Sequence, residues 1–291
     1  MLTRVSQTAH RLLTTPENTL TVTVALTLLL LLAGGLGFLV YVAFKRQPAN
    51  PPKKFRQGRA PGTHTVMVAF GDSITHATLS ADWVGALRNR LGPGGYEFVN
   101  AGLNGHTSAD LLRRIDEVVA CRPDAVTIMV GTNDVRNGIP LAQFHANLDT
   151  IISRLQARTT ARIALLSATP LGEDPAGPAN QALAEYNAAI KETAERMGVS
   201  YLPVHEAIVG HLGQGATAPQ FAFSFGLALR IAVRHYLFRT SLDDIARSNG
   251  LTMLTDHIHL SDRAGQVVAD LVASWLGRRG LNPSAESRLG G

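Results

Sequence analysis

The 291-residue chain has a single cysteine, Cys121. That excludes an internal disulfide framework and any multi-cysteine metal site, and leaves packing to hold the fold. Charge is absent from Thr19 to Phe44, TLTVTVALTLLLLLAGGLGFLVYVAF. An apolar run longer than about 18 residues reads as a transmembrane helix. A secretory signal, with an apolar region of only about 7–15 residues, and a core helix, which rarely stays apolar on every face, are the alternatives. No small-residue cleavage pattern follows Phe44, where the chain turns basic. No phosphate-cradling glycine loop follows a strand-like run, and no internal repeat lies outside the apolar stretch.

A formal charge of +5 and a pI near 9.7 raise the question of a nucleic-acid partner. Six of the basic residues, Lys45, Arg46, Lys53, Lys54, Arg56 and Arg59, cluster directly after the apolar run. There they read as a stop-transfer flank resting on anionic headgroups, and no nucleic-acid partner is needed. Arg4 and Arg11 are the basic residues on the amino side, so the positive-inside bias points the following domain toward the cytoplasm, with an exported domain as the alternative. The expected organisation is a flank (1–18), a single-pass anchor (19–44), a basic proline-rich linker (45–63), a folded domain (64–280) and a tail (281–291). Pro48, Pro51, Pro52 and Pro61, with Gly58 and Gly62, give the linker its semi-extended character.

From His64 onward, strand-like runs alternate with helical periodicity. The strands are Thr65–Phe70, Tyr96–Val99, Ala125–Val130, Ile163–Ser167 and Tyr201–Val204. The helices run from Ala81 to Leu91, from Ser108 with Thr107 and Asp110 spaced as a capping box, and through Leu141–Leu155. Two more cover Asn180–Met197 and the stretch bearing Val267 to Leu276. This rhythm predicts an α/β fold, a parallel sheet covered by helices on both faces. About 207–254 breaks it, being too long for an ordinary connection. PQFAFSFGLALRIAVRHYLFR within it reads as one apolar helix with Arg230 and Arg234 a turn apart. SLDDIARSNG reads as a second, capped by Ser241.

In an open parallel sheet the ligand crevice lies beyond the carboxyl ends of the strands. Four polar clusters occupy such positions: Gly71-Asp72-Ser73, Asn100 to Gly105, Gly131-Thr132-Asn133-Asp134, and, before the last helix, Asp256-His257-Ile258-His259. In this order they resemble the motifs of the SGNH hydrolases, the GDSL-type esterases and lipases, over roughly His64 to Gly277. The resemblance implies a flavodoxin-like three-layer α/β/α domain and an esterase needing no cofactor. It implies that Ser73 is the nucleophile, His259 the general base and Asp256 the residue orienting its ring. The oxyanion donors it implies are the backbone N–H groups of Ser73 and Gly105 and the side-chain amide of Asn133.

A serine hydroxyl is a poor nucleophile until an imidazole removes its proton. An aspartate fixes that imidazole's tautomer, and each preplaced oxyanion donor is worth about 3–4 kcal/mol. The absence of a G-x-S-x-G elbow argues against the α/β-hydrolase superfamily. His64, His76, His106, His257 and His259 are too scattered to read as metal ligands, so no metal is expected. His76 reads as a lining residue of the substrate pocket or a solvent-facing loop residue, and His257 as a loop residue or substrate contact. The insertion ends at Asp256 and is the candidate lid, either lying against the bilayer or packing as an extra core helix or dimer contact. The expected substrate is a small-molecule or lipid carboxylic ester. Carbohydrate O-acetyl groups, acyl transfer to another acceptor and an idle membrane-tethered scaffold remain the alternatives.

Overall fold

The structure is a computed structural model that describes residues 16–55, 58–212 and 221–278. The expectations for Arg4, Arg11, Arg56, Pro219, Gln220 and the tail 281–291 fall outside those residues. The chain divides into two compact units, Met1–Lys45 and Arg46–Gly291.

In the first unit, Pro16–Val40 is α-helical and Tyr41–Lys45 continues as a π-helical turn. Thr19–Lys45 is 27 residues long with a mean hydropathy of 2.4, long and apolar enough to cross a membrane; its apolar body is unburied, and only Val42 and Ala43 near its end are buried. Leu30 and Leu32 are each 72% exposed, so a buried core helix is not what this segment forms.

The second unit is built on five parallel strands: β1 (Thr65–Gly71), β2 (Tyr96–Gly102), β3 (Ala125–Met129), β4 (Arg162–Leu166) and β5 (Ser200–Leu202). Their order is β2-β1-β3-β4-β5, the doubly wound flavodoxin-like arrangement. The order reverses at β1, where Gly71 pairs with Gly102 on one side and Met129 on the other. Side chains alternate across a strand, so Val66, Val68 and Phe70 share one face. They join a buried cluster with Leu111, Ile115, Phe144, Leu148, Ile151 and Ile190 from the covering helices. Met67 and Ala69, on the opposite face, are equally buried. Helices Trp83–Leu91 and Asp262–Gly277 pack on one another as part of the remaining layer.

Three local expectations change. The proline-rich segment is not a free linker from Arg46 onward. Phe55 is buried in the core cluster, the Asn100 N–H donates to the Asn50 carbonyl, and the Val66 N–H is tied to Asp124, which pairs with Arg59. The helix expected from Ser108 breaks into Ser108–Arg113 and Ile115–Val119, because Arg114 is drawn under the sheet end to donate to the Gly71 carbonyl. The strand expected through Val204 stops at Leu202, where Pro203 removes a ladder donor and Val204 begins a helix.

The insertion also starts later than its apolar pattern. Phe221–Phe223 is non-helical, and Ser224 caps the helix Phe225–Ala232 by accepting from the Leu227 N–H. A π-helical turn, Val233–Leu237, follows, and then the helix Leu242–Ser248, capped by Ser241 as expected.

Candidate active site

Ser73 opens the short helix Ser73–His76 immediately after β1, at the point where the sheet order reverses. Asp72 caps this helix through the Ile74 N–H at 3.0 Å. The end of β2 runs close beneath it: a Cβ on Gly102 would lie 2.2 Å from the His76 nitrogen. Any side chain there would push the serine helix away.

The facing wall is a tight loop. Leu254 and Leu260 form an antiparallel bridge, and the Thr255 N–H donates to the His259 carbonyl at 2.7 Å. Asp256 Oδ1 accepts the backbone N–H groups of Ile258 and His259 at 3.2 and 2.8 Å. Its Oδ2 lies 2.7 Å from His259 Nδ1, and His259 Nε2 lies 3.1 Å from Ser73 Oγ. An ionised carboxylate only accepts, so in the neutral ring Nδ1 carries the proton and Nε2 turns its lone pair to the serine hydroxyl.

Burial opposes both charges of the pair, but their mutual attraction wins. The Asp256 carboxyl is held below its ordinary value by the His259 ring and by the N–H groups it accepts. The His259 imidazole is held above its ordinary value by the charge and hydrogen bond of Asp256, with Asp72 adding to the effect. Asp72 itself, 1% exposed, is pushed by burial up to about 6.

The two other motif ends meet through His106, the residue after Gly105, whose carbonyl accepts from Asn133. Gly105 has a φ of +76°, a left-handed conformation that a side chain would strain. Asn133, in the helix Thr132–Arg136, donates through Nδ2 to the His106 carbonyl at 3.0 Å. Its contact with Asp72 Oδ2 is 3.5 Å, long for a hydrogen bond.

Several residues that complete the site carry no signal in the motifs. Arg136 donates to Asn133 Oδ1 at 3.2 Å, which fixes the amide edge presented to the site. Its guanidinium lies 4.8 Å from the centroid of Phe223, whose ring is edge-on to His259 at 6.4 Å. Arg114 ties the serine and glycine loops together, donating to the Gly71 carbonyl at 2.8 Å and to His106 Nδ1 at 3.1 Å. Burial lowers this guanidinium to about 10, so it stays charged at neutral pH. The sequence offers Arg113 and Arg114 side by side after Leu111 and Leu112, and nothing in that pattern tells which of the two turns inward.

Glu173, 8% exposed, holds the histidine loop from behind. It accepts the backbone N–H groups of Thr252, Met253 and Leu254 at 2.8, 2.5 and 2.8 Å, and the Thr252 hydroxyl at 2.7 Å. Gly172, just before it, donates to the His257 carbonyl at 2.7 Å.

The structure thus brings Ser73, His259 and Asp256 into one relay, while the Asn133 and Gly105 motif ends meet through His106. His76 and His257 are not part of that relay. His76 is buried, with Nε2 on the Arg46 carbonyl at 2.7 Å. His257 sits in a left-handed conformation (φ 71°) with its ring edge-on to Phe221 at 6.0 Å. Among the described residues no group of three or more His, Cys, Asp or Glu side chains could hold a metal ion.

A serine–histidine–aspartate relay at the switch point of a doubly wound sheet defines a serine-hydrolase type of site. Residues 69–220 match the GDSL-like Lipase/Acylhydrolase family, and the chain belongs to that family. Esterase TesA of Pseudomonas aeruginosa is 36% identical over 106 residues, 34% of this chain and 52% of TesA. The chain therefore matches about half the length of that curated relative.

Among solved structures, Axe2, an acetylxylan esterase from Geobacillus stearothermophilus, aligns with a TM-score of 0.53 at 19% identity, covering 74% of this chain and 95% of Axe2. The acetyl xylan esterase AlAXEase gives 0.53 at 21%, covering 72% and 99%. A lipase/acylhydrolase from Enterococcus faecalis gives 0.53 at 20%, covering 74% and 96%. At these identities the likeness is one of fold.

Proposed function

We propose that this chain is a membrane-anchored serine esterase that cleaves carboxylic esters through an acyl-serine intermediate on Ser73. The observation that carries the reading is the unbroken hydrogen-bonded path from Asp256 through His259 to Ser73 Oγ.

In the proposed cycle His259 Nε2 removes the Ser73 proton as Oγ bonds to the ester carbonyl carbon. The carbonyl oxygen becomes an oxyanion held by the N–H groups of Ser73, Gly105 and Asn133. Collapse breaks the bond to the alcohol, which leaves with the proton carried by His259. Water, activated by the same imidazole, then releases the acid and restores the hydroxyl. Asp256 stabilises the imidazolium in both halves without taking its proton. None of these steps calls for a cofactor.

Two features support lipid-like acyl esters as substrates. Phe221 and Phe223 line the rings of His257 and His259 and supply an apolar wall. The apolar segment Thr19–Lys45 supplies a membrane span. Acetyl esters of carbohydrate, the substrates named for Axe2 and AlAXEase, are the second reading, supported by the shared fold.

The test is hydrolysis of p-nitrophenyl esters from acetyl to long acyl by the full chain in detergent. Ser73→Ala is expected to lose about 10³-fold or more of kcat. Turnover rising with acyl length supports the lipid reading, and an acetyl optimum supports the carbohydrate one. Turnover unchanged in Ser73→Ala refutes the assignment.

A further inference from the structure

Outside the N-terminal apolar helix, the large apolar side chains left more than half exposed among the described residues are Phe225, Leu237 and Phe238, the last two at 64% and 69%. All three belong to the insertion, whose inner face is already used: Ala228, Ile231 and Ala232 are buried. Leu237 closes the π-helical turn, and exposed Arg239 follows Phe238 in a left-handed conformation (φ 54°).

The turn is fixed from beneath. The Tyr236 hydroxyl donates to the Thr78 carbonyl, and the Arg46 guanidinium lies 5.5 Å from the Tyr236 ring centroid and donates to its hydroxyl at 3.4 Å. Arg46 is the first residue after Lys45, where the apolar segment ends. The point at which the chain leaves that segment is therefore next to the residue preceding Leu237 and Phe238.

We infer that the Leu237–Phe238 turn is a membrane-docking surface that seats the insertion, and with it the mouth of the active site, on the lipid headgroup layer. The inference rests on the membrane-anchor reading proposed above.

Three arguments favour lipid over a second copy of the chain. Arg46, which holds Tyr236, is bonded directly to Lys45, so the residue beneath the turn is one peptide bond from the end of the apolar segment. The composition is interfacial: a leucine and a phenylalanine beside Arg230, Arg234 and Arg239, which suit anionic headgroups. The patch is also small. Two side chains fall well short of the roughly 800 Å² per partner of a stable protein interface, whereas a tethered surface already has lipid at high effective concentration. Phe221 and Phe223 lie on the same continuous segment, 221–239. Their rings meet those of His257 and His259, so the segment that carries the turn also carries the apolar side chains beside the relay.

The test uses the full chain in vesicles of phosphatidylcholine with a minority of phosphatidylglycerol. Leu237→Cys and Phe238→Cys, with Glu195→Cys on the helix Pro178–Met197 as control, are labelled with an environment-sensitive fluorophore; the buried Cys121 thiol does not compete. Circular dichroism checks that each variant is folded, and alkaline carbonate extraction checks the anchor. Brominated lipids are expected to quench positions 237 and 238 several-fold more than position 195. Retention in the vesicles with equal quenching at all three positions overturns the docking surface and leaves the anchor standing. Release by carbonate removes the anchor and the docking surface together. Retention without quenching, but with Phe238→Cys cross-linking to a second copy, makes the turn a dimer contact and also overturns the inference.

Discussion

At the scale of single residues, the relay depends on groups that never touch it. Asp256 and His259 sit on a loop whose backbone donors converge on Glu173. A carboxylate can accept all of them, whereas the amide in Glu173→Gln turns an N–H₂ toward N–H groups and leaves donors unsatisfied. A shift of His259 by an ångström costs on the order of 10²-fold in rate. Glu173→Gln is therefore expected to lower kcat by about 10- to 100-fold, with KM little changed, as befits a positioning residue. Equal kcat in variant and parent would contradict it.

pH–rate profiles test the relay's electrostatics. His259 must be neutral to act as base. Asp256 and Asp72 raise its pKa, while burial and Arg136 lower it, and the net shift is upward from 6.5. Activity is thus lost as pH falls through a value above 6.5, and an acidic limb well below 6.5 would contradict the pairing. Asp72 titrates near 6, so the limb is a property of coupled groups.

At the scale of elements, the strands and their terminal motifs were legible because local pattern dictates them. Continuous apolar runs define buried parallel strands, and polar residues directly after such runs can only face the crevice. What escaped depends on contacts distant in sequence. Arg114 interrupts a helix whose apolar periodicity continues past it, because the Gly71 carbonyl lies 43 positions away. Glu173 meets its partners about 80 positions downstream. Pro48, Pro51 and Pro52 look the same in a free linker and in a segment laid against a sheet, and only Phe55 decides between them. With Phe55 5% exposed in the core, Phe55→Ala is expected to destabilise the domain starting at Arg46 by about 3 kcal/mol in urea denaturation. A loss of less than about 0.5 kcal/mol, the range of surface substitutions, would return the segment to linker status.

At the scale of the whole molecule, an apolar helix and an α/β domain are joined at Lys45–Arg46, and the sequence made both visible. It left the insertion open between lid, core helix and contact surface. Length and apolar content could not separate Ala228, Ile231 and Ala232, which pack inward, from Leu237 and Phe238, which do not. The motifs concern the ester carbonyl, so they carry no information on the alcohol or on the acyl chain.

The proposed activity turns on acylation of Ser73. The most direct measurement is an acid quench of the full chain during turnover of a p-nitrophenyl ester, followed by mass analysis of the peptide containing Ser73. An added acyl mass is expected on Ser73, disappearing as substrate is exhausted and absent from Ser73→Ala. Ester turnover with Ser73 unmodified, or with the acyl group on another residue, would contradict it.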